Sequence, residues 1–290
     1  MLNKRCGKEY IIFIILLCFL ISSCAGKEPV PIKSAPKEAD SSPQSISKHA
    51  CDNIFYPFSL DNQWNYRIEY GTESDISDSS DFAVTVSGLN ESSAEISTLD
   101  YGTSIVTKTE VQCQEGAILN FPLTELNMVM ADLEGGLNVA HQSGVFMPSE
   151  VDFESSDWSN TWETGYSASG EMEANFDGEN FRAALSESPI NMNWHVVSQG
   201  EFIQTPAGEF SDVIRIQREI NIDVESFEAV IEGSAINIST TLTIQMDMFY
   251  APRIGLVQEN ITSAKIKLFG IDFPVEANGK MILTSYSIAD

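Results

Sequence analysis

The stretch Glu201–Asn260, EFIQTPAGEFSDVIRIQREINIDVESFEAVIEGSAINISTTLTIQMDMFYAPRIGLVQEN, decides the fold. From Ile236 the series Ile236, Ile238, Thr240, Leu242, Ile244, Met246, Met248 alternates with Asn237, Ser239, Thr241, Thr243, Gln245, Asp247. A two-residue period gives a strand one dry and one wet face, whereas a helix would scatter the same residues around its circumference. Ile214, Ile216, Ile220 and Ile222 repeat the pattern one strand earlier, opposite Arg215, Gln217, Glu219 and Asn221. Burying each large apolar side chain stabilises by roughly 1.5–3 kcal/mol, and a one-residue slip would turn the whole set to water, so the register is firmly set. These strands form the centre of a large antiparallel sheet.

Outward from this centre the alternation continues. Trp64 to Tyr70 reads as a strand, followed by a polar, acidic loop from Gly71 to Ser80. Phe82, Val84 and Val86 turn at Gly88-Leu89-Asn90 and return through Ala94, Ile96 and Leu99, which predicts a hairpin. A strand from Ser104 to Gln114 turns at Glu115-Gly116. Leu123, Leu126, Met130 and Leu133 have helical spacing. Met172, Ala174 and Phe176 turn at Asp177-Gly178 into Phe181, Ala183 and Leu185, and Ile190, Met192, Trp194 and Val196 make the next strand. Two more strands surround Asn278-Gly279. The fold class is therefore all-β: a large antiparallel, strongly curved sheet or half-barrel with at most one or two short helices, because so many strands must curl or fold over themselves.

The N-terminus has a different character. Lys4, Arg5 and Lys8 precede the apolar run Ile11–Ile21, too short to span a membrane comfortably and built like a secretory signal. Ile21-Ser22-Ser23-Cys24 follows and resembles the lipobox of bacterial lipoproteins, which implies a signal peptide over 1–23 and acylation at Cys24. The Asp that marks inner-membrane retention in those lipoproteins is absent after Cys24, where Ala25 and Gly26 stand. The resemblance thus implies an extracytoplasmic protein, lipid-anchored to the outer membrane or to the outer face of the plasma membrane. Residues 24–50 are rich in Pro and Ser and nearly devoid of large apolar side chains, so they read as a flexible tether reaching on the order of 30 Å. Residues 51–290 form a single β domain.

The net charge is −26 over 290 residues. The acidic residues before Cys51 are only Glu9, Glu28, Glu38 and Asp40, so the globular part is more acidic than the chain as a whole. Each nucleic-acid phosphate needs a cation to replace its counterions, so nucleic acid is excluded as a partner. With Cys6 and Cys18 in the signal and Cys24 acylated, Cys51 and Cys113 are the remaining thiols in an exported domain, either bridged or one buried and one exposed.

Three segments carry a further resemblance: Tyr56–Tyr70 (YPFSLDNQWNYRIEY), Thr205–Phe210 (TPAGEF) and Phe249–Asn260 (FYAPRIGLVQEN). They resemble segments of uncharacterised bacterial lipoproteins of the TapB-like group. That likeness implies an open β half-barrel around an apolar concavity, similar to the LolA and LolB lipoprotein-handling fold, and implies no activity. Asp61 and Arg253 stand where the group's pattern has Gly.

Chemistry-bearing residues are sparse. His49, His141 and His195 lack metal-ligand spacing, and no nucleophile elbow, phosphate-binding glycine loop or reactive Cys motif is present. Two acidic clusters, Asp75/Asp78/Asp81 and Glu150/Asp152/Glu154/Asp157, offer oxygen ligands without the spacing of a calcium loop, and read as solvated loops. No catalytic residue, metal site or cofactor is expected. The reading is a non-enzymatic, lipid-anchored envelope module, either structural or a carrier or sensor whose sheet cups an apolar ligand. A surface hydrolase with dispersed residues and a passive adhesive lipoprotein are the rivals: an apolar concavity marks the carrier, a polar cleft with perturbed carboxylates the hydrolase.

Overall fold

The computed structural model describes residues 49–72, 75–120, 134–155, 160–176, 179–231, 234–268, 270–275 and 279–289. Cys24, the rest of the signal and tether to Lys48, and the helically spaced Leu123–Leu133 lie outside the described residues. In chain order the strands are β1 (Asp52–Asn53), β2 (Tyr56–Pro57), β3 (Gln63–Thr72), β4 (Asp75–Asn90), β5 (Ser93–Asp100), β6 (Val106–Gln114), β7 (Ala117–Ile118) and β8 (Glu134–Gly144). After the short helix α1 (Glu150–Glu154) come β9 (Thr161–Phe176), β10 (Glu179–Thr205), β11 (Gly208–Ile231), β12 (Ser234–Ala251), β13 (Gly255–Leu268), β14 (Ile271–Val275) and β15 (Gly279–Ser287). Apart from the small β1–β2 ribbon, these make one 13-stranded antiparallel sheet, ordered β7-β6-β5-β4-β3-β15-β13-β12-β11-β10-β9-β8, with β14 beside β13.

The sheet curls on itself. Its two edges are drawn together at one end by an isolated bridge between Ile118, in edge strand β7, and Met147, just past edge strand β8. At the β10–β11 turn, Ala207 N–H donates to Leu283 C=O of β15, although three strands lie between β10 and β15 in the sheet. The product is a cup with its apolar face inside.

The bottom of the cup is plugged. Phe55, Tyr56, Phe58, Phe146 and Met147 are buried, with the Phe146 ring edge-on to Trp194 at 5.0 Å and Tyr56 against Tyr250 at 5.5 Å. Cys51 and Cys113 are bonded (Cα–Cα 5.0 Å), both buried. Closing a loop with a sequence separation of 62 stabilises by about 4 kcal/mol in the chain-entropy view. Beside the disulfide, the buried Asn53 amide donates to Gly116 C=O at 2.7 Å and to Pro148 C=O at 2.8 Å, so one side chain ties the N-terminal segment to two later ones.

Three local expectations change. Gly71–Ser80 is not a loop: β3 runs to Thr72 and β4 starts at Asp75, because cross-strand pairing tolerates polar residues and Arg67 bonds Asp81 across the hairpin at 2.9 Å. The β4–β5 hairpin turns two residues later than expected, between Asn90 and Ser93. Glu150, Asp152 and Glu154 of the second acidic cluster form α1, where Ser149 and Asp152 make a reciprocal capping box and Glu150 and Asp152 sit in the first turn, facing the positive end of the helix, while Asp157 lies outside the described residues.

Both departures from the family-like pattern fall on left-handed backbone: Asp61 has φ 67° and Arg253 φ 62°. Left-handed backbone costs most L-residues about 1–2 kcal/mol, and Asp less because its short side chain bonds locally. The exposed Arg253 anchors the turn through its backbone N–H, which donates to Ile54 C=O at 2.6 Å. Arg253→Gly is therefore expected to stabilise the domain by about 0.5–1 kcal/mol after the entropy of Gly in the unfolded chain is subtracted. Asp61→Gly should stabilise less. Urea melts of the two variants check both the sign and the order.

Candidate functional site

Each face of the central strands is a raster of side chains, because residues paired across antiparallel strands point to the same side. On the inner face, Trp162, Trp194, Arg218 and Met246 form one row, and Val196, Ile216, Met248 and Glu259 the next. The polar face carries Thr161, His195, Gln217, Asp247 and Asn260 in one row, and Glu163, Asn193, Glu219 and Gln245 in the row above.

Packing along the inner face is graded. On β11, exposure rises from 0% at Ile216 to 3% at Ile220 and 9% at Ile222, and Val224 is only partly buried. On β12, Met248 and Met246 are buried while Ile244 and Leu242 are partly exposed. Trp194 and Met192 are buried beneath the plug. Among the described residues the interior is thus filled at the Trp194 level, and the apolar side chains are less covered towards the opposite end.

Within the filled part lies a charge that the alternation of isoleucines hides. Arg218 occupies the inner-face position between Ile216 and Ile220 and is fully buried. Its guanidinium lies 5.2 Å from the Trp194 ring centroid and 3.6 Å from the buried Glu259 carboxylate, and donates to Met246 Sδ at 2.9 Å. The two-residue period already placed an Arg among the isoleucines, a signal that a count of apolar residues passes over.

On the polar face a groove of about 560 Å³ is lined by Thr161, Glu163, Asn193, His195, Gln217 and Glu219, and bordered by Trp162 and Trp194, whose rings lie on the inner face. Glu219 is its best-anchored group: Gln245 donates to one carboxylate oxygen at 2.9 Å and Asn221 to the other at 3.0 Å. These amides, Gln245 first, hold the Glu219 carboxyl below its usual range against the opposing effect of burial, with smaller help from Lys265 and Asn193. The hydrogen bonding continues from Thr243 to Asn221 and from Thr241 to Asp223. Near the groove, Arg215 bonds one oxygen of the buried Asp247, whose other oxygen has no hydrogen-bond partner among the described residues. A carboxylate pushed down this way is a standing acceptor rather than a group poised to exchange protons at neutral pH.

The residues singled out from sequence are dispersed. His49 accepts from Cys51 N–H at the plug, His141 packs on Tyr166 at the sheet edge, and His195 lies exposed in the groove. Asp81 is taken by Arg67, and Asp152 caps α1. Among the described residues no group of three His, Cys, Asp or Glu side chains is placed to hold a metal ion.

No family model matches the chain, and no curated protein matches it. Two solved structures are similar. One is described as an exported protein with a YmcC-like fold from Bacteroides fragilis (12% identity, TM-score 0.46, covering 81% of this chain and 100% of that one). The other is described as a lipoprotein from Parabacteroides distasonis (14% identity, TM-score 0.48, covering 81% and 99%).

The Glu219 geometry carries a pH prediction. A carboxylate whose folded pKa is depressed contributes stability that is fully present above its unfolded pKa, about 4.3, and is lost as pH falls through the lower folded value. The stability difference between wild type and Glu219→Gln is therefore expected to favour wild type at pH 7 and to shrink below the ordinary Glu range. Paired urea melts from neutral to acidic pH measure it.

Proposed function

We propose that the chain is a non-enzymatic, lipid-anchored protein of the cell envelope, tethered through acylated Cys24, whose β cup is a binding module. The observation carrying this reading is the cup itself: plugged and stapled at one end, apolar and progressively exposed at the other, along Ile222, Val224, Leu242 and Ile244. The disulfide supports an oxidising, extracytoplasmic setting for the domain. Among the described residues no helix is long and apolar enough to cross a membrane.

An apolar ligand such as an acyl chain fits the exposed end of the cup, as in a LolA- or LolB-like half-barrel. Such a guest would enter at the Leu242 and Val224 level and stop above Trp194, where side chains already fill the space.

Anchoring is tested by Cys24→Ser. One acyl chain binds membranes only marginally, so losing the multiply acylated Cys should move the protein into soluble or unprocessed fractions. Unchanged fractionation and acyl labelling would refute it. For the cup, native mass spectrometry of the full chain in detergent, with fatty acid added, should show a bound acid in wild type and its loss in Leu242→Asp. No adduct, together with no change in melting temperature far above micromolar fatty acid, would leave the structural reading.

A further inference from the structure

We infer that the groove on the polar face, between β9, β10 and β11, is a second binding site, independent of the cup, that takes a neutral saccharide. Its volume of about 560 Å³ lies within the range of small-molecule sites, about 300–1,000 Å³. Its lining is polar and arranged: Glu163, Asn193 and Glu219 stand side by side on neighbouring strands, with Thr161, His195 and Gln217 in the row below. Neighbouring strands set the members of a row about 4.8 Å apart, and the two rows lie about 6.7 Å apart along the strands, a spacing comparable with a pyranose ring.

The chemistry of the lining selects the ligand. Glu163 and Glu219 are carboxylates, and none of the lining side chains on the polar face is a lysine or arginine, so anionic ligands are repelled. Among the described residues no cluster suited to a metal is present, which disfavours a cation held by carboxylates. An ammonium ligand would need acceptors alone. Here the acceptors alternate with side chains that both donate and accept: the amides Asn193 and Gln217, the imidazole His195 and the hydroxyl Thr161. That mixture complements hydroxyl groups, which also do both. Glu219 needs no rearrangement to serve as the central acceptor, since Gln245 and Asn221 already fix its orientation and its charge.

The floor is equally fixed. Behind the groove, Trp162 and Trp194 stack with centroids 5.6 Å apart, and Trp194 is backed by Phe146 and Arg218. Both Trp residues border the groove, while their rings pack on the inner face and hold its backbone in place.

The test is titration of the full chain in detergent with cellotetraose, maltotetraose and tetra-N-acetylchitotetraose, all neutral, followed by calorimetry. At least one is expected to bind saturably in the low millimolar range or tighter. Asn193→Ala and Glu219→Gln should each weaken that binding by roughly tenfold or more, while Thr241→Ala, on the same face outside the groove, should leave it unchanged. Asn193 is exposed, so its variant should keep the wild-type melting temperature even where Glu219→Gln does not. Failure of all three oligosaccharides to bind, or binding that survives Asn193→Ala undiminished, overturns the proposal. So does binding confined to the amine spermidine, which would make this a cation site.

Discussion

The pairing of β15 with β3 is the interaction on which the rest depends. In the sheet order, β3 to β7 form one wing and β13 back to β8 the other, and β15 is the strand that joins them. It pairs Gly279–Ser287 with Gln63–Tyr70 on one side and Ile282–Lys280 with Gln258–Asn260 on the other. Met281, Ile282 and Leu283 are all buried there. Two segments more than two hundred residues apart must meet before the cup exists, so this fold carries a heavy loop-closure cost and belongs among the slow, high-contact-order topologies. The disulfide and the Asn53 staple act on a shorter loop, holding the N-terminal segment near β6 and β7.

Once the wings are joined, curvature decides what each face can do. A single sheet has no second layer, so the concave side must bury itself and the convex side must live with water. At the plugged end this is met with rings: Tyr56, Phe146, Trp162, Trp194 and Tyr250 lie in mutual contact. The Arg218 and Glu259 pair sits in this ring cluster. Desolvating two charges costs several kcal/mol, and a buried pair often does no better than apolar residues of the same volume. What the pair adds is selectivity of register. The pair forms when β11 and β13 are aligned so that both side chains point inward.

Much of this was legible in the residues. The alternation over Ile214–Ile222 and Leu242–Met248 assigned strands and faces correctly, and turns at Thr205–Gly208 and Glu115-Gly116 follow from Gly and Pro chemistry. The TPAGEF and FYAPRIGLVQEN segments turn out to be structural joints: Ala207 N–H reaches β15, and Ile254 C=O accepts from Trp64 Nε1 at 2.6 Å. Long-range facts were not legible. The period of two cannot say that β15 lies between β3 and β13, that the edges meet at Ile118 and Met147, or that polar residues on three strands enclose a groove. Asn193, Gln217 and Glu219 read only as the wet side of their strands, because a groove is a property of curvature and not of any one strand.

The same curvature links the two faces. Strands bent tightly enough to pack Trp194 against Phe146 inside must splay or pinch the rows outside, since side chains on opposite faces of a strand alternate residue by residue. Asn193 and His195 flank Trp194, and Gln217 and Glu219 flank Arg218. The groove is therefore built on the same backbone that the ring cluster immobilises, and its side chains inherit that rigidity without being packed themselves. A site placed on strands backed by a filled core keeps its geometry better than one on loops. Farther along the inner face the described apolar residues Val224, Leu242 and Ile244 are only partly covered, so that region lacks the packing that fixes the groove. One sheet thus separates a compliant apolar region from a rigid polar one, and the division falls at the level of Trp194, where the plug stops.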